Sequence, residues 1–169
     1  SRIVSGKTGQ LISIPVEGIY LLASLHEDYH SLENVFGNLG LAYQITNDIK
    51  NLMGTDGAAR QGGDVLRQSP NAVVILFRDN LINGSRQEFD EKFMQGMVCE
   101  HTDEKWMQEL VINGGELAAD KISSLLAEVE KDLNDHEYDI KPVLLPVTDY
   151  LYAASQKINR ISSTSNKAS

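Results

Sequence analysis

The chain has 169 residues, a formal net charge of −9 and a hydrophobic fraction of 41%, which is enough for one domain with a core of its own. The acidic excess argues against nucleic acid or an anionic membrane surface as a partner. A single cysteine excludes an internal disulfide framework and a cysteine-built zinc site. The apolar runs 72–77 and 143–147 are too short to span a bilayer, and no targeting segment is recognisable, so we expect a cytoplasmic protein.

The charge is unevenly distributed along the chain. Residues 1–86 hold seven Lys/Arg and eight Asp/Glu, whereas residues 87–169 hold eight Lys/Arg and sixteen Asp/Glu. The first part is nearly neutral and therefore tolerates an anionic ligand better than the second.

The first half of the chain is predicted to be helical and to continue from a preceding segment. Residues 1–17 have a helical pattern that Pro15 interrupts, and their abrupt start suggests that the native protein extends upstream. A short helix over 17–25 follows, and Ser31 is a candidate cap for a long helix that ends near Leu52. The helix is predicted because five positions recur at three- and four-residue steps, namely Leu41, Gln44, Ile45, Asp48 and Leu52. The oxygens of Asn47, Asn51 and Thr55 are expected on one face.

The second half is also predicted to be helical, after a long glycine-punctuated loop over 52–71 of a kind that is usually functional or mobile. We interpret the apolar run 72–81 as a helix rather than a strand because helical patterns surround it. Helices over 86–98, 103–113 and 116–133 follow. Gly114-Gly115 either breaks the helix or pinches it against a neighbouring element. Pro146 is predicted to start a last helix, 147–161. The result is an all-α domain over 1–160 with a disordered tail over 161–169.

Few side chains in this sequence suggest chemistry. No Ser-His-Asp or Cys-His arrangement is visible, and the four histidines lie in polar connectors, where they are expected at the surface. Gly62-Gly63-Asp64 lacks the lysine of a phosphate-binding loop. An ordered set of polar residues remains, namely Lys7, Thr8, Gln44, Asn47, Asp48, Asn51, Arg60 and Arg67.

The order and spacing of these residues resemble a known family. Lys-Thr-Gly-x-Leu at 7–11, followed by Gly-x-x-Gly-Leu-Ala-Tyr-Gln-Ile-x-Asn-Asp-x-x-Asn at 37–51, is similar to the C-terminal half of the trans-isoprenyl diphosphate synthases, or polyprenyl synthetases. The Gly-Gly-Glu pattern within 113–117 also resembles a later helix of that family. The resemblance implies a bundle of long helices around a central cavity, with the first aspartate-rich motif in an upstream half.

The resemblance also implies a reaction. In the family, an allylic diphosphate ionises and alkylates isopentenyl diphosphate or another acceptor, and Mg²⁺ held by carboxylates neutralises the leaving diphosphate. By this resemblance Lys7, Arg60 and Arg67 bind diphosphate, and Thr8 and Gln44 position it. Asp48, Asn47 and Asn51 are the expected metal ligands. A homodimer, or a heterodimer with another prenyl synthase subunit, is expected for the same reason.

The sequence departs from the family at the second aspartate-rich motif. Asp-Asp-x-x-Asp is here Asn47-Asp48-x-x-Asn51, so two carboxylates are replaced by amides, which bind hard cations more weakly. The downstream Gly-Lys-Pro-Thr is Gln68-Ser69-Pro70-Asn71 and lacks the lysine. Three alternatives to an active synthase therefore stay open: a non-catalytic regulatory or structural subunit, an enzyme similar to class I terpene synthases with Asn47, Asn51 and Thr55 as its metal triad, and a plain helical binding domain.

Overall fold

The structure, a computed structural model, describes residues 32–55, 62–66, 71–96, 104–135 and 140–165. Within these ranges every regular element is a helix, which confirms the all-α prediction. The six helices are α1 (Glu33–Met53), α2 (Gly63–Leu66), α3 (Ala72–Asn80), α4 (Asn83–Gly96), α5 (Glu104–Asn134) and α6 (Lys141–Ser165). None of the helices in this part of the chain is long and apolar enough to cross a membrane.

Helix α1 forms as predicted, but its buried face differs in part from the expected one, since Leu41 and Gln44 are partly exposed. The side chains at three- and four-residue steps are at most 1% exposed, namely Leu39, Ala42, Ile45, Ile49 and Leu52. The helix ends in a Schellman motif, in which Gly54 N–H donates to the Asn51 carbonyl at 3.1 Å and Thr55 N–H donates to the Lys50 carbonyl at 2.9 Å. Gly54 takes a φ of 67°, which favours glycine at this position.

The predicted loop over 52–71 contains the short helix α2, and the run that starts at residue 72 is helical, as predicted. Helix α3 buries Val73, Val74 and Phe77. Helix α4 begins at Asn83, three residues before the predicted start at residue 86.

Helix α5 is continuous over 31 residues and passes through Gly114 and Gly115 without a break. A Cβ added at Gly114 would lie 2.9 Å from Val73 Cγ1 of α3. Of the two predicted roles for this glycine pair, pinching against a neighbour is therefore the one observed. Packing against α3 outweighs the low helix propensity of glycine here.

Helix α6 differs from the prediction at both ends. It begins at Lys141, includes Pro146, and continues to Ser165, so the start at Pro146 and the end at residue 161 were wrong. Its buried positions Leu144, Leu151, Ser155 and Ile158 follow helical spacing across the proline. Burial of one continuous stripe explains why a residue that usually ends a helix lies inside this one.

The chain divides into two compact units, and the prediction of a single domain over 1–160 stays a prediction. Unit 1 comprises Ser1–Gln44 and Lys121–Ala154; in it Asn38 Nδ2 donates to Glu128 Oε2 at 3.1 Å, and the rings of Tyr43 and Tyr150 are 6.3 Å apart. Unit 2 comprises Ile45–Asp120 and Ser155–Ser169. It contains the end of α1, all of α2 to α4 and the first part of α5.

Candidate diphosphate-site region

The end of α1 is bonded to the start of α3 within unit 2. Asp48 Oδ2 accepts a hydrogen bond from the backbone N–H of Ala72 at 2.6 Å. Asp48 is only 4% exposed, and Ala72 is the first residue of α3. A carboxylate at this place is favoured because the N-terminus of a helix carries a partial positive charge and unpaired N–H groups.

Asn71 completes the same junction from the other side. Its Oδ1 accepts from Val73 N–H at 3.0 Å and from Val74 N–H at 3.2 Å, so it is the N-cap of α3. Its Nδ2 donates to the Asp48 carbonyl at 3.4 Å. Asp48 and Asn71 together therefore satisfy the first three N–H groups of the helix.

Asn51 anchors the segment that follows α1. Asn51 is 5% exposed. Its backbone carbonyl accepts hydrogen bonds from Gly54 N–H at 3.1 Å and from Gly62 N–H at 2.9 Å. Gly54 and Gly62 therefore both bond to one carbonyl group at the end of α1.

The structure places only some of the residues predicted for the site. Lys7, Thr8, Arg60 and Arg67 lie outside the described residues. Gln44 and Asn47 are partly exposed on α1, whereas Asp48 and Asn51 are buried.

Thr55 does not share the oxygen-lined face that we expected on α1. It follows the Schellman turn at Gly54, and its hydroxyl donates to the Lys50 carbonyl at 3.4 Å. The expected face therefore stops at Asn51. The terpene-synthase-like triad at steps of four residues is not formed on this helix.

Comparison with known proteins identifies the family. The sequence model described as polyprenyl synthetase matches residues 1–131, which is most of the 169-residue chain. The chain belongs to the polyprenyl synthetase family. Neither the comparison with curated proteins nor that with solved structures found a match. Family membership places this polyprenyl synthetase homologue in isoprenoid biosynthesis, and the match includes the residues on which the resemblance was based.

The second aspartate-rich motif of this polyprenyl synthetase homologue does not supply the ligands that Mg²⁺ prefers. It contributes the single carboxylate of Asp48, which already accepts a bond from Ala72 N–H, and the amides of Asn47 and Asn51. Among the described residues no group of three or more His, Cys, Asp or Glu side chains could hold a metal ion. Because Mg²⁺ is usually bound through carboxylates and substrate phosphates, these three residues do not fit an Mg²⁺ site on their own.

Sequence reasoning missed the roles of Asn71 and Ala72. An asparagine directly before an apolar helical run is a recognisable N-cap signal, so the role of Asn71 was available from the sequence. The hydrogen bond from Ala72 to Asp48 joins residues 24 positions apart, so no local sequence pattern predicts it.

A separate apolar cleft lies between α5 and α6 in unit 1. Its walls are mainly leucine and valine, with Tyr152 and Thr148 beside them and charged groups from Glu130, Lys141 and Asp149. None of the residues predicted for the diphosphate site lines it. Lys141 Nζ, at the start of α6, donates to Asn134 Oδ1, at the end of α5.

Proposed function

We propose that this protein is a prenyltransferase of isoprenoid diphosphate metabolism. It would transfer the prenyl group of an allylic diphosphate to isopentenyl diphosphate or to another acceptor. The observation that carries this proposal is the polyprenyl synthetase match over residues 1–131. The all-α structure of the described residues supports it, because the family fold is built from helices.

The reaction requires that the C–O bond of the allylic diphosphate breaks, with the electron pair leaving on the diphosphate. The double bond of the acceptor then attacks the carbocation, and loss of a proton restores neutrality at carbon. Mg²⁺ is the cofactor expected of such a transfer, but the ligands at this motif do not suffice for it. As the resemblance implies, Mg²⁺ held by the first aspartate-rich motif in the upstream half would neutralise the leaving diphosphate, while Lys7, Arg60 and Arg67 would bind it and Thr8 and Gln44 would position it.

We expect the enzyme in the cytoplasm, as a homodimer or paired with another prenyl synthase subunit.

A second candidate is a non-catalytic subunit that retains the fold and pairs with an active synthase. The specific observation in its favour is that the remaining carboxylate of the motif bonds to the N-terminus of α3, while amides replace the other two. Such a protein would stabilise or regulate its partner without ionising a substrate itself.

An activity assay separates the two candidates. The full-length protein is incubated with labelled isopentenyl diphosphate, allylic diphosphates of increasing chain length and Mg²⁺. Prenyltransfer predicts a labelled product, and Lys7→Ala should reduce its rate by about 10²-fold or more, by analogy with the loss of one transition-state donor. Lys131→Ala, an exposed lysine on α5, is the matched control and should leave the rate unchanged.

Absence of product with every donor would contradict catalysis by this chain. If product then appears only when a second synthase subunit is added, and Lys7→Ala does not change that rate, the non-catalytic subunit is supported instead.

A further inference from the structure

We propose that Asp48 is a positioning residue that clamps α1 to α3, and that the second aspartate-rich motif of this chain does not ligate a metal through it. The inference rests on the family assignment, which identifies the motif, but not on transfer activity. It holds for an active enzyme and for a non-catalytic subunit alike.

The first observation is the geometry of the carboxylate. Asp48 Oδ2 lies 2.6 Å from Ala72 N, shorter than the usual separation of about 2.9 Å for an N–H···O bond. A short bond is expected where a charged acceptor meets the N-terminus of a helix. The side chain is almost fully removed from solvent, so a lost partner there would leave a buried polar group unsatisfied.

The second observation is that Asp48 accepts two hydrogen bonds from the start of α3. Asp48 accepts from α3 through its carboxylate, and its backbone carbonyl accepts from Asn71 Nδ2 at 3.4 Å. Asn71 is 3% exposed and at the same time caps α3 with its Oδ1. The two side chains therefore fix the start of α3 on the last turns of α1.

The third observation is what the clamp positions. Val73 follows Ala72 directly and lies against Gly114, where a Cβ would come within 2.9 Å of Val73 Cγ1. The bond from α3 to α1 at Ala72 and the close approach of α3 to α5 at Val73 therefore lie at adjacent residues, so Asp48 positions the part of α3 that packs against Gly114.

The chemistry of the motif agrees with this role. Because Ala72 N–H bonds to Asp48 Oδ2, a metal ion would have to displace that bond or bind through Oδ1 alone. The neighbouring positions of the motif, Asn47 and Asn51, carry no charge that would repay the transfer of Mg²⁺ from water.

Two conservative variants distinguish a clamp from a metal ligand. A clamp predicts that Asp48→Asn is tolerated better than Asp48→Glu, whereas a metal ligand predicts the reverse. Asp48→Asn retains a short acceptor but removes the charge. Asp48→Glu retains the carboxylate but adds one methylene in a buried position. The measurements are the melting temperature, followed by circular dichroism, and its increase on adding Mg²⁺ with inorganic pyrophosphate.

A clamp predicts that Asp48→Asn melts within about 2 °C of the wild type, and that Asp48→Glu and Asp48→Ala melt lower by about 2–8 °C. Any increase caused by Mg²⁺ and pyrophosphate should be the same in wild type and Asp48→Asn. Asp120→Ala, an exposed aspartate on α5, should change neither quantity.

The proposal is overturned if Asp48→Asn keeps the wild-type melting temperature but abolishes an increase that Asp48→Glu retains. It is equally overturned if Asp48→Ala and Asp48→Glu both melt with the wild type. Should Asp48→Ala fail to fold, the comparison of Asp48→Asn with Asp48→Glu still decides. Failure of the transfer assay would leave these results untouched, so the two proposals fail separately.

Discussion

Arg78 of α3 and Asp90 of α4 form a two-pronged ion pair. Arg78 Nε donates to Asp90 Oδ1 and Arg78 Nη2 donates to Asp90 Oδ2, each at 2.6 Å. These side-chain hydrogen bonds raise the pKa of Arg78 and lower the pKa of Asp90 below its usual 3.8. Both side chains are more than a third exposed, so salt should screen the pair.

The pair should make stability depend on pH in acid. Because the folded-state pKa of Asp90 is depressed, its contribution is fully present above the unfolded-state pKa and is lost as the pH falls through the folded-state value. We expect the difference in unfolding free energy between wild type and Asp90→Asn to be constant above about pH 5 and to shrink below 3.8. Urea unfolding over this pH range measures it.

Asp120→Asn is the control for that series, since Asp120 is exposed on α5. If Asp90→Asn and Asp120→Asn differ from the wild type equally at every pH, the ion pair makes no contribution and the interpretation is wrong.

Gly114 should not tolerate a side chain. Gly114→Ala would bring a Cβ to 2.9 Å from Val73 Cγ1, and overpacking of this kind destabilises by about 1–3 kcal/mol. Gly37→Ala is the matched control on α1, because nothing lies within 4 Å of its added Cβ, and it should stabilise by about 0.5–1 kcal/mol. Denaturant unfolding of both variants tests the expectation.

Relief of the contact provides a second test of the same site. If the clash is with Val73, the double variant Gly114→Ala/Val73→Ala should be more stable than the sum of the single changes indicates. Strict additivity would show that the cost of Gly114→Ala arises elsewhere.

An aromatic cluster joins α3, α4 and α5 in unit 2. The ring of Phe89 lies 5.4 Å from Phe77, 5.9 Å from Phe93 and 5.5 Å from Trp106, measured between centroids. Phe89 is 4% exposed, so we expect Phe89→Ala to destabilise by about 3–5 kcal/mol. Trp106 is the only tryptophan in the chain, so its fluorescence reports on this cluster during unfolding. An emission maximum unchanged by Phe89→Ala would contradict the packing.

Pro146 should lower the stability of α6. It lies inside the helix and cannot donate a backbone hydrogen bond there. Pro146→Ala should stabilise by about 1–2 kcal/mol, because the gain in helix propensity exceeds the loss of rigidity in the unfolded chain. Pro142→Ala changes a first-turn residue, where no donor is needed, and should have a much smaller effect. Equal effects of the two changes in thermal unfolding would contradict the continuous helix.

The structural features that could be predicted from the sequence are those that depend on residues close together in the chain. The helix α1 and a helix starting at residue 72 were both predicted correctly, because burial of one face determines such elements. The sequence left open whether a helix continues through Gly114, and the predicted start of α6 at Pro146 was wrong, since local propensity favours a break at both residues and only packing overrides it. The clamp was missed for the same reason: the bond between Asp48 and Ala72 depends on how α1 and α3 meet. The metal role expected of Asp48 follows from the family motif, and the motif carries no information about that contact.

Amide hydrogen exchange at Ala72 tests the clamp most directly. The first N–H group of a helix has no partner within the helix and ordinarily exchanges fast. The clamp predicts that the Ala72 amide is protected in the wild type and in Asp48→Asn, and that it exchanges much faster in Asp48→Ala while the remainder of α3 stays protected. It also predicts no change on addition of Mg²⁺. Fast exchange at Ala72 in the wild type, or loss of its protection when Mg²⁺ is added, would contradict the account.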